Sequence, residues 1–169
     1  IAVGFDTPHP IYQVFLILAA SDNSPYSYRN TLVAEVDGAV VGALVGYDGA
    51  RLMELREPIF PLLLEHLGDV PHIEDETSSG EFYLDSLGVF PPFRGMGVGS
   101  ALLNAMSDRA FAEGHERIGL IVDVNNSKAE KLYAELGFVR VGMKKFLGHD
   151  MWHLQRVATA DKCRHHEEE

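Results

Sequence analysis

The sequence predicts a single α/β domain of the α+β kind, with helices packed on a mixed, mostly antiparallel sheet. Three observations predict it. Two runs rich in β-branched residues, 32–36 and 39–45, are joined by Asp37-Gly38, the strongest short-range hairpin signal. An apolar strand over 81–89 runs through Pro91-Pro92 into a glycine-rich loop, a helix and the continuous apolar run 118–124. Strand, helix, strand over about 40 residues makes a right-handed crossover between parallel strands. A last pair of runs, 138–143 and 151–156, closes the domain antiparallel.

In chain order, residues 11–20 are apolar and read as a packed helix, broken by Ser21-Asp22-Asn23-Ser24-Pro25. Tyr26, Ser27, Tyr28, Arg29 and Asn30 form a polar, aromatic connector into the hairpin. The second hairpin strand ends around Tyr47-Asp48-Gly49-Ala50. Glu57-Pro58 starts a helix, since proline suits a first turn. Leu62, Leu63, Leu64 and Leu67 give it an apolar face, and Pro61 leaves its extent open. From Gly68 to Gly80 the chain is polar and acidic. It reads as a long surface loop, either a flexible connector or a lid over an acceptor site.

The helix after the glycine loop spans 99–113 and is closed by Gly114. The next one opens on Ser127-x-x-Glu130, the pattern of a capping box. Its Ala129, Leu132, Tyr133 and Leu136 fall on one stripe, and Gly137 stops it with Phe138 packing back. Residues 1–157 form one domain and 158–169 a polar tail. There is no internal repeat.

Composition narrows the function classes. The chain has 169 residues, 46% hydrophobic and 23% charged, and a net charge of −11, as expected of a soluble globular protein. That charge argues against nucleic acid, whose binders carry basic stripes, and suits cationic substrates or plain solubility. No apolar run approaches the ~18 residues of a membrane span. The single cysteine, Cys163, sits in the tail; it fits a reducing cytoplasm and is badly placed to be a nucleophile. His165-His166 there reads as tag-like or incidental rather than a metal site. The chain starts at Ile1 rather than methionine, which reads as a trimmed or incomplete end.

Leu87-Gly88-Val89 leads into Arg94-Gly95-Met96-Gly97-Val98-Gly99-Ser100. Glycines let backbone N–H groups face outward, and the first turn of a helix has unpaired N–H groups and a positive dipole end. Together they make a cradle for a phosphate or pyrophosphate. The spacing is one residue short of the dinucleotide G-x-G-x-x-G, and no Gly-Lys-Ser/Thr is present for a P-loop. The plain alternative is a glycine turn that serves only strand–helix packing.

Arg94-x-x-Gly97-x-Gly99 resembles the acetyl-CoA signature, Arg/Gln-x-x-Gly-x-Gly/Ala, of the GNAT superfamily of N-acetyltransferases. The stretch from Asn126 to Phe138, with Ala129, Leu132, Tyr133, Gly137 and Phe138, resembles that family's Asn-x-x-Ala-x-x-Leu-Tyr-x-x-x-Gly-Phe. The two motifs occur in the family's order and spacing, and the resemblance covers roughly residues 30–157. It implies a mixed sheet of six or seven strands flanked by helices. The family's parallel fourth and fifth strands, here 81–89 and 118–124, splay apart to admit the pantetheine arm.

The resemblance also implies roles. Backbone N–H groups from Arg94 to Ser100, through Gly95, Met96, Gly97, Val98 and Gly99, bind the pyrophosphate of acetyl-CoA, and Arg94 adds charge. Backbone groups around Leu87, Gly88 and Val89 pair with pantetheine as an added strand would, and one N–H can hold the developing oxyanion. Asn126 either touches the cofactor arm or caps its helix, a job for which Ser127 competes. Tyr133 is the candidate general acid that protonates the departing thiolate, or else a core aromatic.

An alkyl amine is only about a thousandth neutral at pH 7, so a base is needed. Asp85 is the first choice and Glu81 the second; strict alternation sets Glu81, Tyr83, Asp85 and Leu87 on one face unless a bulge intervenes. The acceptor site draws on Tyr26, Tyr28, Arg29 and Asn30, with Asp85, and on a loop over 144–150. His149 and His153 read as structural, and no metal is implied.

The expected activity is a cytoplasmic N-acetyltransferase using acetyl-CoA in a ternary complex, with direct attack by a primary amine. The amine belongs to a small molecule or a peptide, and the family often forms homodimers. The alternatives are a non-catalytic acyl-CoA-binding or sensor module of the same fold, and transfer of a larger acyl group such as succinyl.

Overall fold

A computed structural model of the chain describes residues 10–159. Residues 1–9 and 160–169, which include Cys163 and His165-His166, lie outside the described residues. Helix α1 is Pro10–Ala20, and the hairpin is β1, Thr31–Val36, with β2, Ala39–Asp48. Helices α2, Leu52–Arg56, and α3, Ile59–Leu67, come next. Strand β3, Phe82–Val89, leads to α4, Val98–Ala112, and β4, Arg117–Asp123. Helix α5, Ser127–Glu135, precedes the closing strands β5, Val139–Phe146, and β6, His149–Val157.

The six strands form one sheet in the order β1-β2-β3-β4-β6-β5. Only β3 and β4 are parallel; every other neighbouring pair is antiparallel. On one face lies the main core, where Leu102, Leu103, Met106 and Ala110 of α4 meet Leu44, Phe82, Leu84, Ile118, Leu120 and Leu154. Helix α5 packs there through half-buried Ala129, Leu132, Tyr133 and Leu136. A second cluster joins Leu52 and Leu55 of α2 to Tyr47 and Tyr83. Helices α1 and α3 pack on each other around Val14, Leu18 and Leu63. Among the described residues no helix is long and apolar enough to cross a membrane.

Local chemistry explains most boundaries. Asp37 and Gly38 both take positive φ, 50° and 80°, as a two-residue type I′ hairpin turn requires. Pro61 is the third residue of α3, where a helix N–H has no internal partner, so the helix runs unbroken to Leu67.

Several expectations are corrected. Helix α2 is an additional element ahead of Glu57-Pro58. The span 144–150 is not a loop: both closing strands extend through it, leaving only Leu147-Gly148 as the turn, at φ 48° and 80°. Ser127 does not cap α5. Asn126 does, accepting from the Ala129 N–H at 3.1 Å, and Glu130 pairs with Arg140 instead of closing a capping box.

The end of α5 is a Schellman motif. The Phe138 N–H donates to the Tyr133 carbonyl and the Gly137 N–H to Ala134, both at 3.0 Å. The apolar contact that accompanies this motif is Tyr133 against Phe138, with ring centroids 6.0 Å apart.

Candidate active site

Strand β3 builds the site. Its pairing with β2 runs Phe82↔Asp48, Tyr83↔Tyr47 and Leu84↔Gly46, then resumes at Ser86↔Val45, leaving Asp85 with no opposite residue. This is a β-bulge, and a bulge re-aims side chains. Before it, Phe82 and Leu84 face α4; after it, Leu87 and Val89 do, the latter two lying beside Gly99. Strict alternation therefore fails. Asp85 and Tyr83 face a cavity on the other side of the sheet, and Leu87 does not share their face.

The same strand opens the sheet. Strands β3 and β4 pair only at Phe82↔Ile118 and Tyr83↔Gly119, so from Leu84 onward β3 has a free edge toward β4. The Phe90 N–H donates to Val41 of β2 at 2.9 Å. Peptide groups alternate along a strand, so those of Leu87 and Val89 point into the gap, away from β2. Arg94 Nε donates to the Val89 carbonyl there at 2.9 Å. The gap leads to the glycine loop, where Gly95 and Gly97 sit at φ 75° and 82°, a region that favours glycine. Ala101 is the first residue of α4 to bond back, to Gly97, so the N–H groups of Val98, Gly99 and Ser100 have no helical partner. Met96 is exposed beside them.

On the far side lies a cavity of about 330 Å³. Asp85 lines it, accepting from Ser86 Oγ at 2.6 Å and from the Tyr47 hydroxyl at 2.9 Å. Burial pushes its carboxyl above the ordinary range, against the pull of those two donors and of Arg56. Glu76, also in the wall, is buried and ion-paired to Arg56, and burial raises it too. Burial and the charges of Asp85 and Glu76 push the Tyr26 phenol up, so it stays a proton donor. Tyr26 lines the cavity and its hydroxyl has no hydrogen-bond partner among the described residues.

The other expected site residues lie elsewhere. Tyr28 and Arg29 form an exposed cluster on Asp22, at 2.8 and 3.0 Å, away from the cavity lining. Glu81 is 4% exposed and fully engaged. It accepts from Thr77 Oγ1 at 2.7 Å, Gln155 Nε2 at 2.7 Å and His153 Nε2 at 2.8 Å. Burial alone would raise its carboxyl, but these partners outweigh it and hold it low. A low, saturated carboxylate is a poor base. His149 pairs with Asp123 at 3.2 Å. Tyr133 is half-buried on the α4 side, does not line the cavity, and its phenol is raised by burial.

Glu76, Tyr47 and Arg56 are site residues that the sequence alone did not mark. The loop 68–80 is not a free connector: its Ile73 and Glu76 line the cavity. Arg56 ties it down through the Glu74 carbonyl and Asp75 at 2.7 and 2.9 Å. The tip of the closing hairpin docks on it, with the Leu147 N–H on Glu74 and Lys144 on the Glu76 carbonyl at 2.9 and 3.0 Å.

With this geometry in hand, the comparisons with known proteins point one way. A family model described as acetyltransferase (GNAT) family matches residues 5–138. A solved structure titled as that of an acetyltransferase is 35% identical at TM-score 0.78, covering 91% of this chain and 83% of its own. An N-acetyltransferase from Staphylococcus aureus Mu50 is 24% identical at TM-score 0.74, covering 89% and 82%; it speaks for the fold. So does the NatC complex bound to Gag peptide and CoA, 20% identical at TM-score 0.54, covering 94% and 97%.

Proposed function

Because the chain belongs to the GNAT family of acetyltransferases, we propose that it transfers an acetyl group from acetyl-CoA to a primary amine by direct attack in a ternary complex. The observation that carries this reading is the gap between β3 and β4. It is closed at one end by two residue pairs and lies open from Leu84 on, with the glycine loop on one side and the acidic cavity on the other.

The residues present fit coenzyme A. The inward-facing peptide groups of Leu87 and Val89 offer the pantetheine arm a strand edge. The N–H groups from Gly95 to Ser100 suit a pyrophosphate at the head of α4, and Arg94, Met96 and the small Gly88 border that path. A Cβ on Gly88 would meet nothing within 4 Å, so there is room for a ligand. Asn126 keeps its side-chain N–H₂ free to touch the arm while its oxygen caps α5. A bound acetyl-CoA supplies an activated thioester.

This chain's residues do the rest. Asp85 draws the ammonium head into the cavity and takes its proton, directly or through water. Its raised carboxyl brings it closer to neutrality, where a base is most useful. As the new C–N bond forms and the C–S bond breaks, an inward peptide N–H of β3 holds the carbonyl oxygen. Tyr133 gives its proton to the leaving sulfur, and the second proton that the nitrogen sheds as the amide forms restores the phenol by way of water. Glu81 stays structural, fixing the closed end of the gap.

Release of free thiol from acetyl-CoA over a panel of amines tests the proposal. Turnover with at least one amine, lost in Asp85→Asn, is the expected result. Coenzyme A binding without thiol release across a wide panel would favour a non-catalytic binding module instead.

A further inference from the structure

The cavity also limits which amine can enter. Arg56 is the only cationic side chain lining it among the described residues, and four of its five N–H donors are taken. Its Nη1 donates to the Ile73 carbonyl and to Asp75, at 3.4 and 2.9 Å. Its Nη2 donates to the Glu74 carbonyl at 2.7 Å and to Glu76. All four Nη hydrogens are used, which leaves only the Nε–H for a carboxylate on the acceptor. Such a carboxylate would stand among the like charges of Asp85 and Glu76, with only that Nε–H and the phenols of Tyr26 and Tyr83 as donors.

The polar groups left over are few. Tyr47 is committed to Asp85, and Glu76 to Arg56. The Ser86 hydroxyl is committed to Asp85 as well, so the Asp85 carboxylate and the phenols of Tyr26 and Tyr83 remain, enough for one ammonium head. The other walls are Ile59, Phe60, Ile121, Phe146, Leu147 and Met151, which offer side-chain surface and no hydrogen bonds. A peptide backbone or a second ammonium would lose its water there without replacement. The volume of about 330 Å³ has room for one ring with a short alkyl arm.

We propose that the acceptor is a small primary amine on an aryl or alkyl body, with no carboxylate beside the nitrogen. This rests on the acetyl-transfer reading for its chemistry and on the cavity for its selectivity.

Calorimetry of the full chain saturated with coenzyme A, titrated with 2-phenylethylamine, phenylalaninamide and phenylalanine, separates charge from bulk. Acetyl-transfer rates are measured in parallel for these three, for spermidine and for an alanine-initiated tetrapeptide. Phenylethylamine is expected to bind best, phenylalaninamide to lie between, and phenylalanine to fall at least a hundredfold below the first. The assignment is overturned if phenylalanine comes within tenfold of phenylethylamine, if none of the three binds, or if spermidine or the tetrapeptide is the best acceptor. The expected order of binding without any transfer leaves the assignment standing and removes the transferase reading; transfer confined to spermidine or the tetrapeptide does the reverse.

Discussion

Tyr47 donates its hydroxyl proton to Asp85 Oδ2 at 2.9 Å across 38 residues of sequence, while Glu76 Oε1 lies 3.5 Å from the same phenol oxygen. A phenol has one proton, and the shorter contact takes it. That bond lowers the Asp85 carboxyl against the larger effect of burial. Tyr47→Phe removes the donor, so the carboxyl rises further. The acid limb of kcat/KM is then expected to move up by about one pH unit, the size of a hydrogen bond to a charged group. Rates converge again well above the limb. An unmoved pH profile would reduce Tyr47 to a packing residue.

Asp85→Asn separates activity from stability. Loss of a general base is expected to lower kcat by roughly 10²–10⁴. Stability moves the other way. The folded carboxyl sits above its unfolded value, so folding takes up a proton between the two and stability falls as pH rises through that window. The variant should therefore melt about 2–4 °C higher near pH 8, or ~1 kcal/mol. The gain should vanish near pH 3, where the carboxyl is protonated in both states. Calorimetric melting at both pH values checks it.

Tyr133→Phe leaves the ring on Phe138 and deletes a hydroxyl that has no hydrogen-bond partner among the described residues. Stability is expected to change by less than about 0.5 kcal/mol and coenzyme A affinity by less than threefold. Turnover should fall about a hundredfold if the phenol protonates the leaving sulfur. Equal turnover would remove Tyr133 from the mechanism.

Gly119 gives Glu81 its place. A Cβ at 119 would sit 2.0 Å from Glu81 Oε2, so Gly119→Ala must expel the carboxylate from Thr77, His153 and Gln155. Urea denaturation should show a loss of roughly 3–5 kcal/mol, the cost of breaking a buried charged cluster. Adding Glu81→Ala should cost little more, because the two changes remove one interaction. The Glu81 carboxyl is held low in the fold. Its contribution is present above its unfolded pKa, 4.5, and is lost as pH falls through the folded value. Glu81→Gln should flatten that acid loss.

Gly97 takes φ 82° at the head of α4. Gly97→Ala is expected to cost about 1–2 kcal/mol, and to weaken coenzyme A binding at least tenfold by turning the first N–H groups of the helix. Isothermal calorimetry gives both the affinity and, with melting, the stability.

The local parts of the fold were legible because local chemistry sets them: Asp37-Gly38 for the first hairpin, Gly137-Phe138 for the end of α5, and glycine spacing for the loop before α4. Helix α2 was missed because its five residues are too few to show a helical period before Glu57-Pro58. The strands of the second hairpin read too short because leucine, not asparagine or aspartate, takes the first positive φ of its turn. Glu76, Tyr47 and Arg56 were missed for a different reason. Their contacts span 20 and 29 residues, and a loop rich in acids gives no sign of which carboxylate folds inward. The bulge at Asp85 is set by the pairing of two strands and has no mark in either one.

The Glu81 cluster stands at the vertex where the two halves of the sheet meet. Two residue pairs and one buried carboxylate fasten β1-β2-β3 to β4-β6-β5 at that end. The cluster thus ties the closed end of the wedge. Loosening it should speed amide exchange along both inner strands together, and an occupant inserted as a surrogate ribbon should slow that exchange again.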